Sequence, residues 1–153
     1  MTDPVLSAAQ AFLQRLDQST TLDPAQAQAI DVASEPFAIG PEALAALPLA
    51  RLLDVRRAAL FAQAGNLIPG AHWCNPVHIG TAAAASALPP PADQALVVYC
   101  VHGHAVSRSA VLALRAQGHD ARFLSGGIAA WVAAGRPVLA TLHPSAGTPG
   151  AQP

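Results

Sequence analysis

The sequence has little charge. Only 11% of its 153 residues are Asp, Glu, Lys or Arg, and the formal net charge is −1. The few strongly basic residues, all of them arginine, form no stripe or cluster of the kind that binds nucleic acid or an anionic membrane. We therefore expect neither nucleic acid nor a membrane to be the partner of this protein.

Long apolar runs are also missing. No run approaches the roughly 18 residues that a membrane span needs. The first residues lack the positive charge followed by an apolar core that marks a signal peptide, so we expect none. The two cysteines are too few for a disulfide framework. These absences predict a reduced, cytoplasmic protein.

Hydrophobic residues, many of them alanine, make up 52% of the chain. The length suits one domain with a proper core and is short for two. We divide the chain into an N-terminal helical extension, 1–35, a central domain, 36–138, and a flexible tail, 139–153. The extension is expected to pack on the domain or on a partner, and a homodimer formed through it is one such arrangement.

Short apolar runs alternate with helical patterns along the domain. Strands are predicted at 37–39, 51–55, 71–73, 96–99 and 121–124. Helices are predicted at 5–18, from Pro24 onward, and at 41–47, 56–64, 107–117 and 128–132, with a weaker helical pattern at 76–87. This alternation predicts an α/β fold with a parallel sheet and helices on both faces.

The residues 95–109 read A-L-V-V-Y-C-V-H-G-H-A-V-S-R-S. A β-branched run delivers Cys100 to a short loop, and a helix follows. Loop N–H groups and a helix N-terminus both favour a negative charge, so this arrangement can activate a thiolate. Ligands of parallel sheets bind at the carboxyl edge, which should gather the segments 54–57, 72–74, 100–106 and 125–127.

Four blocks in order resemble a rhodanese-like sulfurtransferase domain over about 37–138. They read L-L-D-V-R, F-A-Q-A-G-N-L-I-P-G-A, V-V-Y-C-x-x-G and L-R-A-Q-G-H-D-A-R-F-L-S-G-G-I-A-A-W. The resemblance implies a five-stranded parallel sheet with the catalytic cysteine after the fourth strand, and the matching residue is Cys100. It also implies an enzyme of the thiosulfate type, with no cofactor and no metal.

The implied chemistry starts with attack of Cys100 on the sulfane sulfur of a donor such as thiosulfate, which leaves a persulfide on the cysteine. A thiol or cyanide then removes the outer sulfur, so the partners are a small sulfur donor and a thiol acceptor. Backbone N–H groups of the loop would bind the oxyanion; the loop residues are Val101, His102, Gly103, His104, Ala105 and Val106. The supporting residues are Asp54, Arg56, Ser107 and Arg108.

The loop departs from the family pattern C-x-x-G-x-R-S. It reads as one residue longer before the serine and lacks the arginine, with Arg108 displaced into the helix. Such C-V-H-G-H loops resemble a subset of rhodanese-like proteins, some associated with chromate resistance. Cell-cycle phosphatases of the same fold place an arginine six positions after the cysteine, where this chain has Val106. An oxyanion-handling enzyme (phosphatase, or arsenate- or chromate-related) and a non-enzymatic binding or sensor module are the alternatives.

Several side chains admit two interpretations. The loop histidines, His102 and His104, either assist catalysis or are solvated, and together with Cys100 and His72 or Cys74 they could hold zinc. Cys74 either resolves the persulfide on Cys100 or packs as a small hydrophobic residue in the wall of the site. Asp54 and Arg56 are expected to brace the active-site loop. Arg108 is either an anion contact or a surface charge, and Arg57 a solvated charge.

Overall fold

The structure is a computed structural model and describes residues 3–16, 22–47, 51–79 and 95–140. Its centre is a five-stranded sheet in the order β1-β6-β5-β2-β4, in which every pairing is parallel. The strands are β1 (Ala38–Ile39), β2 (Arg51–Asp54), β4 (Ala71–Trp73), β5 (Leu96–Tyr99) and β6 (Ala121–Leu124). The predicted fold class is confirmed.

Six helices surround this sheet in the part of the chain that the structure describes. They are α1 (Pro4–Gln14), α2 (Pro24–Ser34), α3 (Pro41–Ala45), α4 (Ala58–Ala64), α5 (Ala105–Ala116) and α6 (Gly127–Ala133). None of the described helices is long and apolar enough to cross a membrane. Short 3₁₀ turns cover Glu35–Phe37 and Pro76–His78.

The two helices of the extension begin where the sequence places capping residues. Asp3 accepts a hydrogen bond from the Val5 N–H at 2.9 Å, and Asp23 accepts one from the Gln26 N–H at 2.8 Å. In each case proline takes the first helical position, where its missing N–H costs nothing. The helix predicted at 5–18 ends at Gln14, and residues 17–18 lie outside the described part.

The core has two halves, one on each face of the sheet. Alternation along β5 sends Leu96 and Val98 to one half, with α1 and α5, and Val97 and Tyr99 to the other. The second half also takes Trp131 of α6. The extension therefore packs on the domain, because Leu13 of α1 is fully buried in the first half.

Several predicted boundaries were wrong by one or two residues. β2 ends at Asp54 rather than at 55, and α4 begins at Ala58 rather than at 56. The physical reason is a turn in which the Asp54 carboxylate accepts from the Arg56 N–H at 3.0 Å, which holds the chain out of both strand and helix. The predicted helix at 41–47 ends at Ala45.

Two further predictions concern the segments 76–87 and 139–153. The first begins as the 3₁₀ turn Pro76–His78, and its residues 80–87 lie outside the described part. In the second, β7 (Leu139–Ala140) pairs antiparallel with β3 (Asn66–Leu67), a two-residue pairing that the sequence did not predict. Residues 141–153 lie outside the described part.

Candidate active site

Cys100 lies immediately beyond the carboxyl end of β5, the middle strand of the sheet. All four residues of β5 are buried, and the strand is hydrogen-bonded to a neighbour on each side. Cys100 is 6% exposed and belongs to the core half that contains α1 and α5. The apolar strand thus carries the thiol to the edge at which parallel sheets bind ligands.

The segment between Cys100 and α5 is shorter than the sequence indicated. The helix begins at Ala105, not at Ser107, so Ala105 and Val106 form its first turn rather than part of the loop. Its N-cap is His104, whose side chain makes no capping hydrogen bond. Serine usually marks the start of a helix, which is why the sequence misplaced it.

The backbone N–H groups around Cys100 are available to a ligand. Among the residues that the structure describes, no backbone carbonyl and no side-chain oxygen accepts a hydrogen bond from the N–H groups of 101–107. The first turn of any helix leaves such donors unpaired, and here the loop adds its own. This part of the backbone can bind a negative charge.

The N-terminus of α6 holds the other side of the loop. Ile128 N–H donates to the Cys100 carbonyl and Ala129 N–H to the Val101 carbonyl, both at 3.0 Å. In a trans peptide, the C=O and N–H groups point in opposite directions. The N–H groups of Val101 and His102 therefore point away from α6, toward the open side of the loop.

Two glycines make this close approach possible. Gly127 has φ +64, and a Cβ there would lie 2.5 Å from the Cys100 carbonyl oxygen. Gly103 has φ +73, and a Cβ there would lie 2.8 Å from the Gly126 nitrogen. The expectation that the Gly126–Gly127 pair permits a close approach to the loop matches this geometry.

Ser107 is the polar side chain next to the thiol. The Cys100 S–H donates to Ser107 Oγ at 3.1 Å, and both side chains are buried. The hydroxyl in turn donates to the His104 carbonyl at 3.4 Å. Because a hydroxyl rotates freely, it can turn and donate to the sulfur once the thiol has lost its proton.

Asp54 and Arg56 form a buried ion pair beside the site. The Arg56 guanidinium donates to both carboxylate oxygens, with a shortest distance of 2.6 Å, and the two side chains are 1% and 0% exposed. Arg56 also donates to the side chain and carbonyl of Asn66, and its own carbonyl accepts from Trp73 Nε1. The pair therefore fixes the β2–α4 connection rather than the loop after Cys100.

Arg108 is neither an anion contact nor a free surface charge. Its Nε donates to the Gly103 carbonyl at 3.1 Å, and its Nη1 donates to Ser34 Oγ at 3.1 Å and to Glu35 Oε1 at 3.2 Å. The guanidinium also lies 4.4 Å from the centre of the Phe123 ring. Arg108 thus joins the loop to α2.

The loop histidines are exposed and lie side by side. The ring centroids of His102 and His104 are 5.8 Å apart. The zinc set suggested for them does not assemble, since no three His, Cys, Asp or Glu side chains of the described residues lie close enough to share a metal ion. His72 is exposed on β4, away from this pair.

Cys74 follows β4 on the same edge of the sheet. It is half-buried, and its Sγ lies 3.7 Å from the Asn75 carbonyl, which it approaches as a donor. Burial raises the pKa of the Cys74 thiol. It packs against the core half that contains Cys100. This packing fits a small hydrophobic residue in the wall of the site better than a thiol that resolves the Cys100 persulfide.

A cavity of about 380 Å³ opens beside Cys100. Of the predicted site residues it reaches Arg56, Cys100, Val101, His102, His104, Ala105 and Val106. Asp54, Gly103, Ser107 and Arg108 are not part of its lining, and Gly103 and Ser107 are buried. Most of the predicted site residues therefore line one cavity, and the other four do not.

Sequence reasoning missed several residues of the cavity wall. They are Phe12, Leu22, Ala27, Arg57 and Leu60. Arg57 was expected to be a solvated charge, but its guanidinium donates to the Leu16 carbonyl at 3.3 Å and lines the cavity. Within the described residues no carboxylate forms an ion pair with it.

A family model described as rhodanese-like domain matches residues 41–134. Among solved structures, the chain is similar to a thiosulfate sulfurtransferase from Pseudomonas aeruginosa, with 32% identity and a TM-score of 0.54. That match covers 67% of this chain and 19% of the other, so the chain spans about a fifth of that protein.

Two further solved structures are matched by this chain over almost their whole length. A protein from Anabaena sp. is 26% identical, with a TM-score of 0.58 over 68% of this chain and 93% of its own. A rhodanese-related protein from Thermoplasma volcanium is 23% identical, with a TM-score of 0.56 over 67% and 96%, and supports the fold alone. No curated protein matches.

Proposed function

Because the chain belongs to the rhodanese-like domain family, we propose that it is a sulfurtransferase that carries sulfane sulfur as a persulfide on Cys100. The donor is a small molecule such as thiosulfate, and the acceptor is a thiol or cyanide. The observation that carries the proposal is the set of unpaired N–H groups of 101–107 beside Cys100, at one end of a cavity.

In the first step, the Cys100 thiolate attacks the outer sulfur of thiosulfate. The new S–S bond forms as the S–S bond of thiosulfate breaks, and sulfite leaves with the electron pair. Two negative charges meet here, so the step needs positive character nearby. The guanidinium of Arg57, which lines the cavity, and the loop N–H groups supply it.

The product of this step is a persulfide anion on Cys100. Its outer sulfur carries the charge that the thiolate carried before, displaced by one S–S bond toward the cavity. The same N–H groups and the Ser107 hydroxyl, which lies 3.1 Å from Cys100 Sγ, favour that charge. The apolar neighbours Val101 and Val106 limit access of water to it.

In the second step, a thiolate or cyanide attacks the outer sulfur. Cyanide leaves as thiocyanate and the Cys100 thiolate returns, so charge and sulfur balance over the cycle. A thiol acceptor leaves as its persulfide after losing its proton. The exposed rings of His102 and His104 stand at the cavity and are available to accept that proton.

Intact-mass measurement tests the proposal. Thiosulfate should add about 32 Da, one sulfur atom, to the protein, and cyanide should remove it. The adduct should persist in Cys74→Ser and be absent from Cys100→Ser. Absence of an adduct with thiosulfate and with other sulfane-sulfur donors, in a folded protein, would refute the proposal.

A further inference from the structure

The lining of the cavity beside Cys100 contains polar and apolar groups, which we call its polar side and its apolar side. The polar side consists of the loop N–H groups, His102, His104 and Arg57. The apolar side consists of Phe12, Leu22, Ala27 and Leu60. A ligand that fills the cavity must therefore combine an anionic sulfur group with an apolar body.

Most of the apolar side comes from outside the segment that matches the family. Phe12 belongs to α1, Ala27 belongs to α2, and Leu22 lies just before α2, whereas the family match begins at residue 41. Three of these four apolar side chains therefore come from this chain's own extension, and Leu60 comes from α4. The family resemblance gives no information about what the extension contacts.

This wall is a fixed part of the structure. Ala9 and Leu13 of α1 are fully buried, and Leu16 belongs to the same core half as Cys100. The Leu16 carbonyl also accepts a hydrogen bond from Arg57 at 3.3 Å. This hydrogen bond ties Arg57, which lines the cavity, to the chain just after α1.

Inorganic thiosulfate uses only the polar side. It is small and doubly charged, so it gains nothing from the apolar wall, and its approach to that wall costs hydration. A volume of about 380 Å³ falls in the range of sites that enclose organic ligands. The wall adds binding energy only for a donor with an apolar group next to its sulfur.

We infer that Phe12, Leu22 and Leu60 are specificity-determining residues that select organic sulfane-sulfur donors with an apolar body over small inorganic ones. This inference rests on the proposed sulfur transfer. For a thiosulfonate, the Cys100 thiolate attacks the outer sulfur, the S–S bond of the donor breaks, and the sulfinate leaves with the electron pair. The thiolate and the thiosulfonate are consumed, and the persulfide anion and the sulfinate are formed. Charge and sulfur therefore balance without a further reactant.

The test compares benzenethiosulfonate with methanethiosulfonate, which share the reacting group and differ in the body. For each donor kcat/KM is measured with cyanide as acceptor and divided by the rate constant of the uncatalysed reaction with a small thiolate. In the full chain the benzene compound should be favoured by about tenfold or more. Thiosulfate should be the poorest of the three donors.

Leu60→Gln should reduce the preference for the benzene compound by about threefold or more. Leu60 is 43% exposed, so the substitution leaves the core intact. The matched control is Val132→Gln on α6, which replaces a valine that is 49% exposed and outside the cavity lining. It should leave the preference unchanged.

Two results would overturn the inference. One is equal normalised kcat/KM for the two thiosulfonates, and the other is an equal shift of the preference in Leu60→Gln and Val132→Gln. Either result with a normal Cys100 persulfide from thiosulfate leaves the proposed function standing. No persulfide from any of the three donors refutes the proposed function and this inference together.

Discussion

The two cysteines each follow the carboxyl end of a parallel strand, Cys100 after the middle strand and Cys74 after an outer one, and their surroundings differ. Cys100 follows β5 and Cys74 follows β4, and both strands pair with β2. After Cys100 the chain offers unpaired N–H groups and the Ser107 hydroxyl. After Cys74 it offers the Asn75 carbonyl, an acceptor, at 3.7 Å. Position at the sheet edge is therefore not enough, and the turn that follows the cysteine decides its chemistry.

The turn after Cys74 uses its own polar groups. The Asn75 side chain accepts from the Val77 N–H at 3.2 Å, and the Asn75 carbonyl accepts from the His78 N–H at 2.9 Å. A thiol beside acceptors keeps its proton, and burial acts in the same direction by raising the pKa of Cys74.

The largest expected effect is on alkylation. At pH 7 iodoacetamide should modify Cys100 about 100-fold or more faster than Cys74, because only the thiolate reacts and the loop N–H groups and the Ser107 hydroxyl lie beside Cys100. Peptide mass spectrometry at timed quench points measures both rates. The single variants Cys74→Ser and Cys100→Ser give each rate in isolation. Similar rates for the two thiols would remove the basis of the comparison.

Gly127→Ala should abolish most of the advantage of Cys100. The added Cβ would meet the carbonyls of Cys100 and Val101 at a backbone φ of +64, so the loop must shift. Such a displacement of the loop should slow persulfide formation by roughly tenfold to 100-fold. Stopped-flow or quenched mass measurement with thiosulfate follows this rate.

The matched control for Gly127 is Gly65→Ala. Gly65 has φ +70, close to that of Gly127, but a Cβ there meets nothing within 4 Å. Both variants should lose about 1–3 kcal/mol of stability to backbone strain. Only Gly127→Ala should slow persulfide formation at Cys100. An equal decrease of this rate in both variants would contradict the described packing.

Ser107→Ala should slow alkylation of Cys100 by roughly tenfold. A hydrogen bond to a charged group is worth about 1.5–3 kcal/mol, and the hydroxyl lies 3.1 Å from the sulfur. The control is Ser109→Ala on the same helix, where the buried hydroxyl has no partner among the described residues. If the two substitutions have equal effects, the Ser107 hydroxyl does not stabilise the thiolate.

The smallest effect concerns the pH dependence of stability through Cys74. Burial raises its folded-state pKa above the unfolded one, so its contribution is complete below about 8.5 and is lost as the pH rises through the folded value. Urea unfolding of Cys100→Ser should therefore show a lower stability at pH 10 than at pH 7. The decrease in stability between pH 7 and pH 10 should be smaller in the double variant that carries both Cys100→Ser and Cys74→Ser. An equal decrease in the two proteins would mean that a group other than Cys74 causes it.

Local sequence signals predicted the parts of the fold that local interactions determine. Asp3 and Asp23 cap the helices that they were expected to cap, and the β-branched run before Cys100 forms the middle strand. The start of α5 was misplaced because His104 is not a typical capping residue and makes no capping bond. β7 was missed because two residues carry no periodic pattern.

The cavity wall could not be predicted because its contacts are distant in sequence. Arg108 bonds Ser34 and Glu35 across 74 and 73 positions, and Arg57 bonds Leu16 across 41. Nothing around either arginine distinguishes it from a surface charge. Only the packing of α1 and α2 on the domain brings the partners to these residues.

Arg108 has a consequence for local opening. One guanidinium bonds the Gly103 carbonyl of the loop and, through Nη1, the Asp31 carbonyl, Ser34 and Glu35 at the end of α2. Fraying of this end of α2 releases the arginine and leaves the loop carbonyl without its donor, so the two segments share one opening event. We therefore expect a ligand that orders the loop to slow amide hydrogen exchange in the last turn of α2 as well, far along the chain from the thiol.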